Sequence, residues 1–229
     1  ADGGLNGLAK DVNLYVAKAL LANGSGYEED VVAAIDWCIN QNVSIISLSL
    51  GGGQDLFPLL GSSGRSIEDS VNDAIARGIF VVAAAGNDGG EEDDGDVASP
   101  GSERRVICVG GVTQSGDHWE KSSTGNNGFS ALPFKLPRGD PDKKPELVAP
   151  AKGVPVLNTQ GTWSTASGTS AATVYVTAAI ALLLEAHPEL ASNGTSGDVS
   201  TIDQVKDWLM QTVNPRDCLL YTSPSPRDP

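Results

Sequence analysis

The chain is poor in basic residues and has no long hydrophobic run. Of its 229 residues, 15 are Lys or Arg and 29 are Asp or Glu, which gives a formal net charge of -14. This charge argues against nucleic acid and anionic membrane as partners. It favours a soluble, self-repelling surface of the sort met in secreted or salt-tolerant proteins.

Cysteine is too scarce for a disulfide framework. Two of the three cysteines, Cys38 and Cys108, lie in a helical pattern and in an apolar strand pattern, so we expect both to be small buried hydrophobic residues. The longest apolar run, Ala178 to Leu184, is too short to span a bilayer and is bounded by Thr177 and Glu185. It predicts a buried helix.

Both ends of the sequence are unusual. The chain begins without Met and without a charged and then apolar leader, so we expect the native N-terminus to lie upstream. Residues 217 to 228 look like a translated sequencing adapter. We therefore expect a partial domain over residues 1–213 and a non-native tail over residues 214–229.

Strand and helix patterns alternate through the first half of the chain. Strands are predicted at 43–48, 79–84 and 105–112, the first of them buried on both faces, and an amphipathic helix precedes each of the first two. We also expect a strand at 13–17. This order predicts right-handed βαβ units and an α/β fold, with a doubly wound, mostly parallel sheet that has helices on both faces.

Two helix signals accompany these patterns. Ser25 and Glu28 form a possible capping box at the start of the first helix, and Gly78 is expected to end the second. The turn around Ser25 lacks the third glycine of a dinucleotide fingerprint. The acidic run at 91–96 could hold calcium but lacks EF-hand spacing, so a solvated loop is favoured.

Three polar, glycine-containing loops are predicted to face one crevice. Ser49 to Gly51 and Gly86 to Asn87 follow neighbouring strands, and ligands of such sheets bind beyond the carboxyl ends of the strands. The third loop, residues 167–172, places Ser170 at the start of a buried helix. A hydroxyl held there could act as a nucleophile, although an ordinary helix cap has the same appearance.

The order and separation of these loops resemble the subtilisin-like serine peptidases, as do residues 13–19, residues 144–150 and the closing helix pair. The resemblance covers roughly residues 6–213. It implies a serine endopeptidase that hydrolyses peptide bonds through an acyl-enzyme on Ser170. Asn87 would supply the side-chain N–H of the oxyanion hole, which the backbone N–H of Ser170 completes.

The resemblance also implies where a substrate binds. The edge that pairs with the substrate backbone would be formed by Ser49, Leu50 and Gly51. The first specificity pocket would be lined by Ala84, Ala85 and Gly86. The two residues before the nucleophile, Gly168 and Thr169, would lie beside the bound substrate. The resemblance further implies protein or peptide substrates, a monomeric protein and an extracellular or cell-surface location. The chemistry would need no cofactor, although a structural calcium ion is possible.

The sequence departs from the family pattern in two places. Val174 and Tyr175 stand where proline and histidine are common after the nucleophile. More importantly, a serine hydroxyl needs a general base. His118 stands in no family motif, and His187 ends the helix that begins at Ser170, about 25 Å away from it. We expect the catalytic Asp and His to lie upstream, so that this chain alone is inactive.

Two alternatives remain open. A pseudopeptidase or peptide-binding module would keep the crevice without the chemistry, and a missing upstream Asp or His would identify it. An α/β-hydrolase esterase is disfavoured because the residues around Ser170 lack the closing glycine of a nucleophile elbow.

Overall fold

The computed structural model describes residues 7–51, 64–90, 96–125, 129–131, 134–136, 142–192 and 199–213. The helices are α1 (Glu28–Asn40), α2 (Ile67–Ala76), α3 (Thr169–Ala186) and α4 (Val199–Thr212), with a 3₁₀ turn at Pro188–Leu190. The strands are β1 (Ile45–Leu48), β2 (Phe80–Ala84), β3 (Ile107–Val112), β4 (Phe129–Ala131), β5 (Phe134–Leu136), β6 (Leu147–Pro150), β7 (Val154–Leu157) and β8 (Trp163–Ala166).

The main sheet has the strand order β1-β2-β3-β6, and all of its neighbours are parallel. Every residue of β2 and of β3 is buried. Because successive side chains of a strand point to opposite faces, both faces of the sheet are covered. Helix α3 contacts all four strands, and α2 contacts β2. The predicted α/β fold with helices on both faces of a parallel sheet is confirmed.

The two helix signals had different outcomes. Gly78 follows α2 with φ +77°, a left-handed conformation that ends a helix at little cost in glycine. The capping box predicted from Ser25 and Glu28 is wrong. Helix α1 starts directly after Tyr27 without a side-chain cap, and the Ser25 hydroxyl donates instead to Asn23 Oδ1 at 2.8 Å.

The strand predicted at residues 13–17 is also wrong. These residues pair with no strand of the sheet, and Leu14 and Val16 are 81% and 75% exposed. A cavity of about 1160 Å³ lies between residues 8–20 and β1, and α1 and α3 also contribute to its lining. The segment has the composition of a strand. Because the cavity separates it from β1, it has no neighbouring strand with which to form backbone hydrogen bonds.

The predicted tail, residues 214–229, lies outside the described residues, and so does most of the acidic run at 91–96. Cys108 is buried, as predicted, whereas Cys38 is only half-buried. Burial raises the pKa of the Cys38 thiol.

Candidate active site

The three predicted loops meet at one edge of the sheet. Ser49 follows β1, Gly86 and Asn87 follow β2, and Ser170 is the second residue of α3. Two hydrogen bonds join the first loop to the third: the Ser49 hydroxyl donates to the Ser170 carbonyl at 3.0 Å, and the Ser170 hydroxyl donates to the Ser49 carbonyl at 3.2 Å. The loops that carry Ser49 and Ser170 are therefore in direct contact.

Backbone hydrogen bonds fix the turn that carries Ser170 to the main sheet. The Gly168 N–H donates to the Ala151 carbonyl at 2.8 Å, and the Ala151 N–H donates to the Val112 carbonyl at 2.8 Å. The turn is thus tied to the carboxyl ends of β3 and β6. Because α3 packs across the sheet behind it, the Ser170 hydroxyl is held at the positive end of a fixed helix.

The Asn87 amide has one defined orientation. Its Oδ1 accepts a hydrogen bond from the Thr169 N–H at 2.8 Å and lies 3.1 Å from the Thr169 hydroxyl. An amide side chain carries its acceptor and its donor on different atoms, so an Oδ1 that is already bound leaves Nδ2 available to donate. Asn87 is exposed, and that donor can meet a substrate at the crevice.

Thr169 joins the turn that carries Ser170 to the end of β2. Its side chain is fully buried, and its Oγ1 accepts from the Gly86 N–H at 3.2 Å and lies 3.1 Å from the Gly86 carbonyl. Gly86 itself has φ +115°, and a Cβ there would overlap the Ser123 hydroxyl. Glycine is required at this position by both backbone conformation and space.

The remaining predicted substrate-binding residues differ in exposure. Ser49 and Gly51 are exposed and Leu50 is half-buried, so this edge is open to a partner chain. Ala84 and Ala85 are buried. Both backbone groups of Ala85 form hydrogen bonds within the fold, since its N–H donates to the Val109 carbonyl and its carbonyl accepts from the Ala98 N–H. The substrate-binding roles of these residues stay predictions.

Sequence reasoning missed Ala98 and Ser123, which pack against the end of β2. A methyl group on Gly86 would lie 3.4 Å from the Ala98 Cβ, and the Ser123 N–H donates to the Gly86 carbonyl at 3.1 Å. The Ser123 hydroxyl also bonds to the carboxylate of Asp88. Neither residue stands in a motif, and the only local signal is the turn-forming Pro100 and Gly101 after Ala98.

Within the part of the chain that the structure describes, no hydrogen bond joins Ser170 to either histidine. His187 ends α3, about 25 Å from Ser170 at a helical rise of about 1.5 Å per residue, and its Nδ1 lies 3.0 Å from Glu189. His118 forms an isolated bridge with Val112. The Ser170 hydroxyl donates to a backbone carbonyl, as described above.

A buried ion cluster lies beside β6, the strand after which Ala151 accepts the hydrogen bond from the turn that carries Ser170. Glu146 Oε1 accepts from Lys144 Nζ at 2.7 Å and from Lys206 Nζ at 2.6 Å, while its Oε2 accepts from the Cys108 N–H at 2.9 Å. The side chains of Lys144 and Glu146 are 0% exposed and that of Lys206 is 3% exposed. Burial lowers the pKa of Lys144.

The sequence as a whole matches a known family. A family model, the Subtilase family of S8 peptidases, matches residues 1–223. The chain belongs to the subtilase family. The match thus extends past Val213, the last described residue.

Relatives of this subtilase include bacterial proteases. Subtilisin DY of Bacillus licheniformis is 31% identical over 86% of the chain and 63% of its own length. An intracellular serine protease of Paenibacillus polymyxa is 32% identical over 93% of the chain and 56% of its own length. The chain therefore spans less than two thirds of the length of these curated relatives.

Solved structures of subtilases share the fold. A cold-adapted subtilisin-like serine proteinase superposes with a TM-score of 0.65 and 27% identity, over 90% of the chain and 62% of that structure. Sphericase superposes with a TM-score of 0.65 and 28% identity, over 90% and 63%. Within the described part of this subtilase, no group of three or more His, Cys, Asp or Glu side chains is arranged to hold a metal ion.

Helix α3 is long and apolar enough, by length and composition, to pass as a membrane span. Its contacts with all four strands of the sheet are those of a core helix.

Proposed function

We propose that this chain supplies the nucleophile and the oxyanion hole of a serine endopeptidase, which hydrolyses peptide bonds of proteins or peptides through an acyl-enzyme on Ser170. The observation that carries the proposal is the fixed Asn87 amide. Its Oδ1 is bound to Thr169, the residue just before the nucleophile, so that its donor and the Ser170 hydroxyl belong to one rigid unit.

The chemistry follows from this arrangement. The Ser170 oxygen attacks the scissile carbonyl carbon, the carbonyl π electrons move to oxygen, and a general base takes the hydroxyl proton. The oxyanion accepts hydrogen bonds from Asn87 Nδ2 and from the Ser170 N–H. Collapse of the tetrahedral intermediate expels the amine, which takes the proton from the base, and water then hydrolyses the ester. No step requires a cofactor, and a bound calcium ion would have a structural role.

We place the base and its orienting carboxylate outside this chain. The cavity beside β1 supports this assignment, because Ser49, the residue after β1, is hydrogen-bonded to Ser170. A segment that filled the cavity as a parallel neighbour of β1 would end close to the nucleophile. On this proposal the chain is inactive alone and active with that segment. We further propose a monomeric protein at an extracellular or cell-surface location.

The test compares this chain with the protein expressed together with the coding sequence that adjoins it. We expect the longer protein, and not the chain alone, to cleave a quenched fluorescent peptide. Ser170→Ala should abolish that cleavage, whereas Ser164→Ala, at an exposed position of the β7–β8 hairpin, should retain it.

A binding module is the second candidate, and the hydrogen bond from the Ser170 hydroxyl to a backbone carbonyl favours it. A folded longer protein that binds peptides in the crevice and cleaves none would establish that function and contradict the peptidase.

A further inference from the structure

The cavity beside β1 has two extended walls. Its lining includes β1 on one side and residues 13–17 on the other. Within the described residues, β1 is the outermost strand of the main sheet. The Ser44 carbonyl accepts from the Phe80 N–H at 3.0 Å, so alternate residues from Ser44 onward bond to β2. The backbone groups of Ile45 and Ser47 therefore point to the opposite side, which is the cavity.

Residues 13–17 are held across the cavity from β1 without pairing to it. The Tyr15 ring packs edge-on against the Trp37 ring of α1, with the ring centroids 6.2 Å apart. Just after the segment, Ala19 and Leu20 pack against the hydrophobic core. The far wall is thus anchored to α1 and to the core. The space between residues 13–17 and β1 is a preformed slot, and we refer to it as the slot below.

The slot has the size and the lining for a strand of polypeptide. Its volume of about 1160 Å³ exceeds the roughly 300 to 1,000 Å³ of small-molecule pockets. Helices α1 and α3 contribute buried apolar side chains to the lining, among them Val31, Ile35 and Leu184. Leu14 and Val16 also line the slot, although both are exposed. An extended, apolar segment in this space would cover these side chains and pair with the open edge of β1.

The β1 wall is tied to the helix that carries Ser170. The Thr177 hydroxyl of α3 donates to the Ser47 hydroxyl at 3.0 Å. Ser49 and Ser170 share the two hydrogen bonds described above. Ser47, Ser49 and Thr177 all line the slot. A parallel strand that pairs with Ile45 and Ser47 therefore has its carboxyl end beside the turn that carries Ser170.

We propose that the slot is a docking site for one extended, apolar strand of the adjoining segment of this protein, and that the chain binds this segment even as a separate, non-covalently attached polypeptide. The inference rests on the proposed function. A source for the strand is at hand, because the chain spans only 63% of Subtilisin DY and 56% of the Paenibacillus polymyxa protease. The four-stranded sheet and its core form without the strand, so no covalent connection is needed to build the slot.

The test mixes the chain with a separately expressed polypeptide that the adjoining coding sequence encodes. Cys38 lines the slot and is half-buried, so the rate of its alkylation by iodoacetamide, mapped to the peptide that contains it, reports whether the slot is filled. Alkylation should slow in a saturable manner, by about 10-fold once the polypeptide exceeds its Kd by about 10-fold.

Two exposed apolar positions supply a variant and its matched control. Val16→Asp should leave the unfolding of the chain unchanged, since Val16 is 75% exposed, but it puts a carboxylate into the slot. Binding of the polypeptide should then weaken by at least about 10-fold. Leu157→Asp, at a 62% exposed position of β7 that does not line the slot, should leave binding unchanged.

The outcomes separate docking from catalysis, because the alkylation assay requires no cleavage. Unchanged alkylation of Cys38 in the mixture would overturn the docking proposal, and so would protection that survives Val16→Asp. Protection that occurs only when the segment is covalently joined, in the longer protein, would overturn binding as a separate polypeptide. Docking without any peptide cleavage would contradict the proposed function and leave the assignment of the slot intact.

Discussion

Replacing Thr169 by Val should reduce turnover in the active protein without changing KM. Valine keeps the shape of the buried side chain but removes the hydroxyl, which lies 3.1 Å from Asn87 Oδ1 and accepts from the Gly86 N–H at 3.2 Å. The Asn87 amide would then be held only by the Thr169 N–H, at 2.8 Å. Its Nδ2 donor would be less well aimed at the oxyanion.

One hydrogen bond of this kind contributes about 0.5 to 1.5 kcal/mol. If the whole of that amount is expressed in the transition state, kcat falls by about 2- to 12-fold. KM should not change, because the oxyanion exists only along the reaction path. The unsatisfied Gly86 N–H should also lower the free energy of unfolding by about 1 to 3 kcal/mol.

The assay is steady-state peptide hydrolysis together with urea unfolding, with Thr169→Ser as the control that retains the hydroxyl. A Thr169→Val protein with native kcat, or with a raised KM and native kcat, would refute the assigned role of this hydroxyl in orienting Asn87.

Three further predictions concern stability, and urea unfolding of the chain measures each of them. Glu146→Gln removes the carboxylate that the two buried ammonium groups share, and leaves Lys206 only the more distant carboxylate of Asp142, at 3.8 Å, so it should lower the free energy of unfolding by about 3 to 5 kcal/mol; the exposed Arg65→Gln should cost about 0 to 1 kcal/mol, and equal effects would contradict the burial argument. Burial lowers the pKa of Lys144 from 10.5, so between its folded pKa and pH 10.5 the folded state binds fewer protons than the unfolded chain. Its contribution therefore makes the free energy of unfolding rise with pH across that window, and Lys144→Met should remove the rise; the same pH profile in both proteins would be inconsistent with this titration. Gly86→Ala should cost at least about 2 kcal/mol, because a side chain at φ +115° is strained and its Cβ meets the Ser123 hydroxyl; a variant as stable as the native chain would show that the turn adapts.

The parallel sheet could be predicted because its strands are continuous apolar runs. Ile79 to Ala84 is buried on both faces, and such a run is recognisable without knowledge of its neighbours. Residues 13–17 have the same character and form no strand, since a strand also requires a partner at hydrogen-bonding distance. Local sequence carries the propensity of a segment and says nothing about whether that partner is present.

The candidate site was predictable in its motifs and not in its connections. Ser170 and Asn87 stand in recognisable loops at the ends of predicted elements. The hydrogen bonds from Thr169 that orient Asn87, and the position of Ala98 between two glycines, depend on contacts between residues far apart in the chain. Likewise, Lys206 looks like a surface residue of an amphipathic helix until the packing of α4 buries it beside Glu146.

The most direct test of the central claim is to map the site at which a serine-directed phosphonate probe labels the longer protein. We expect one adduct, on the peptide that contains Ser170, and its loss in Ser170→Ala. Labelling should also be slower in Asn87→Ala, since the phosphonate oxygen uses the same donor as the oxyanion. A folded protein that cleaves peptides but carries the adduct on another residue, or carries none, would contradict the assignment of Ser170 as the nucleophile.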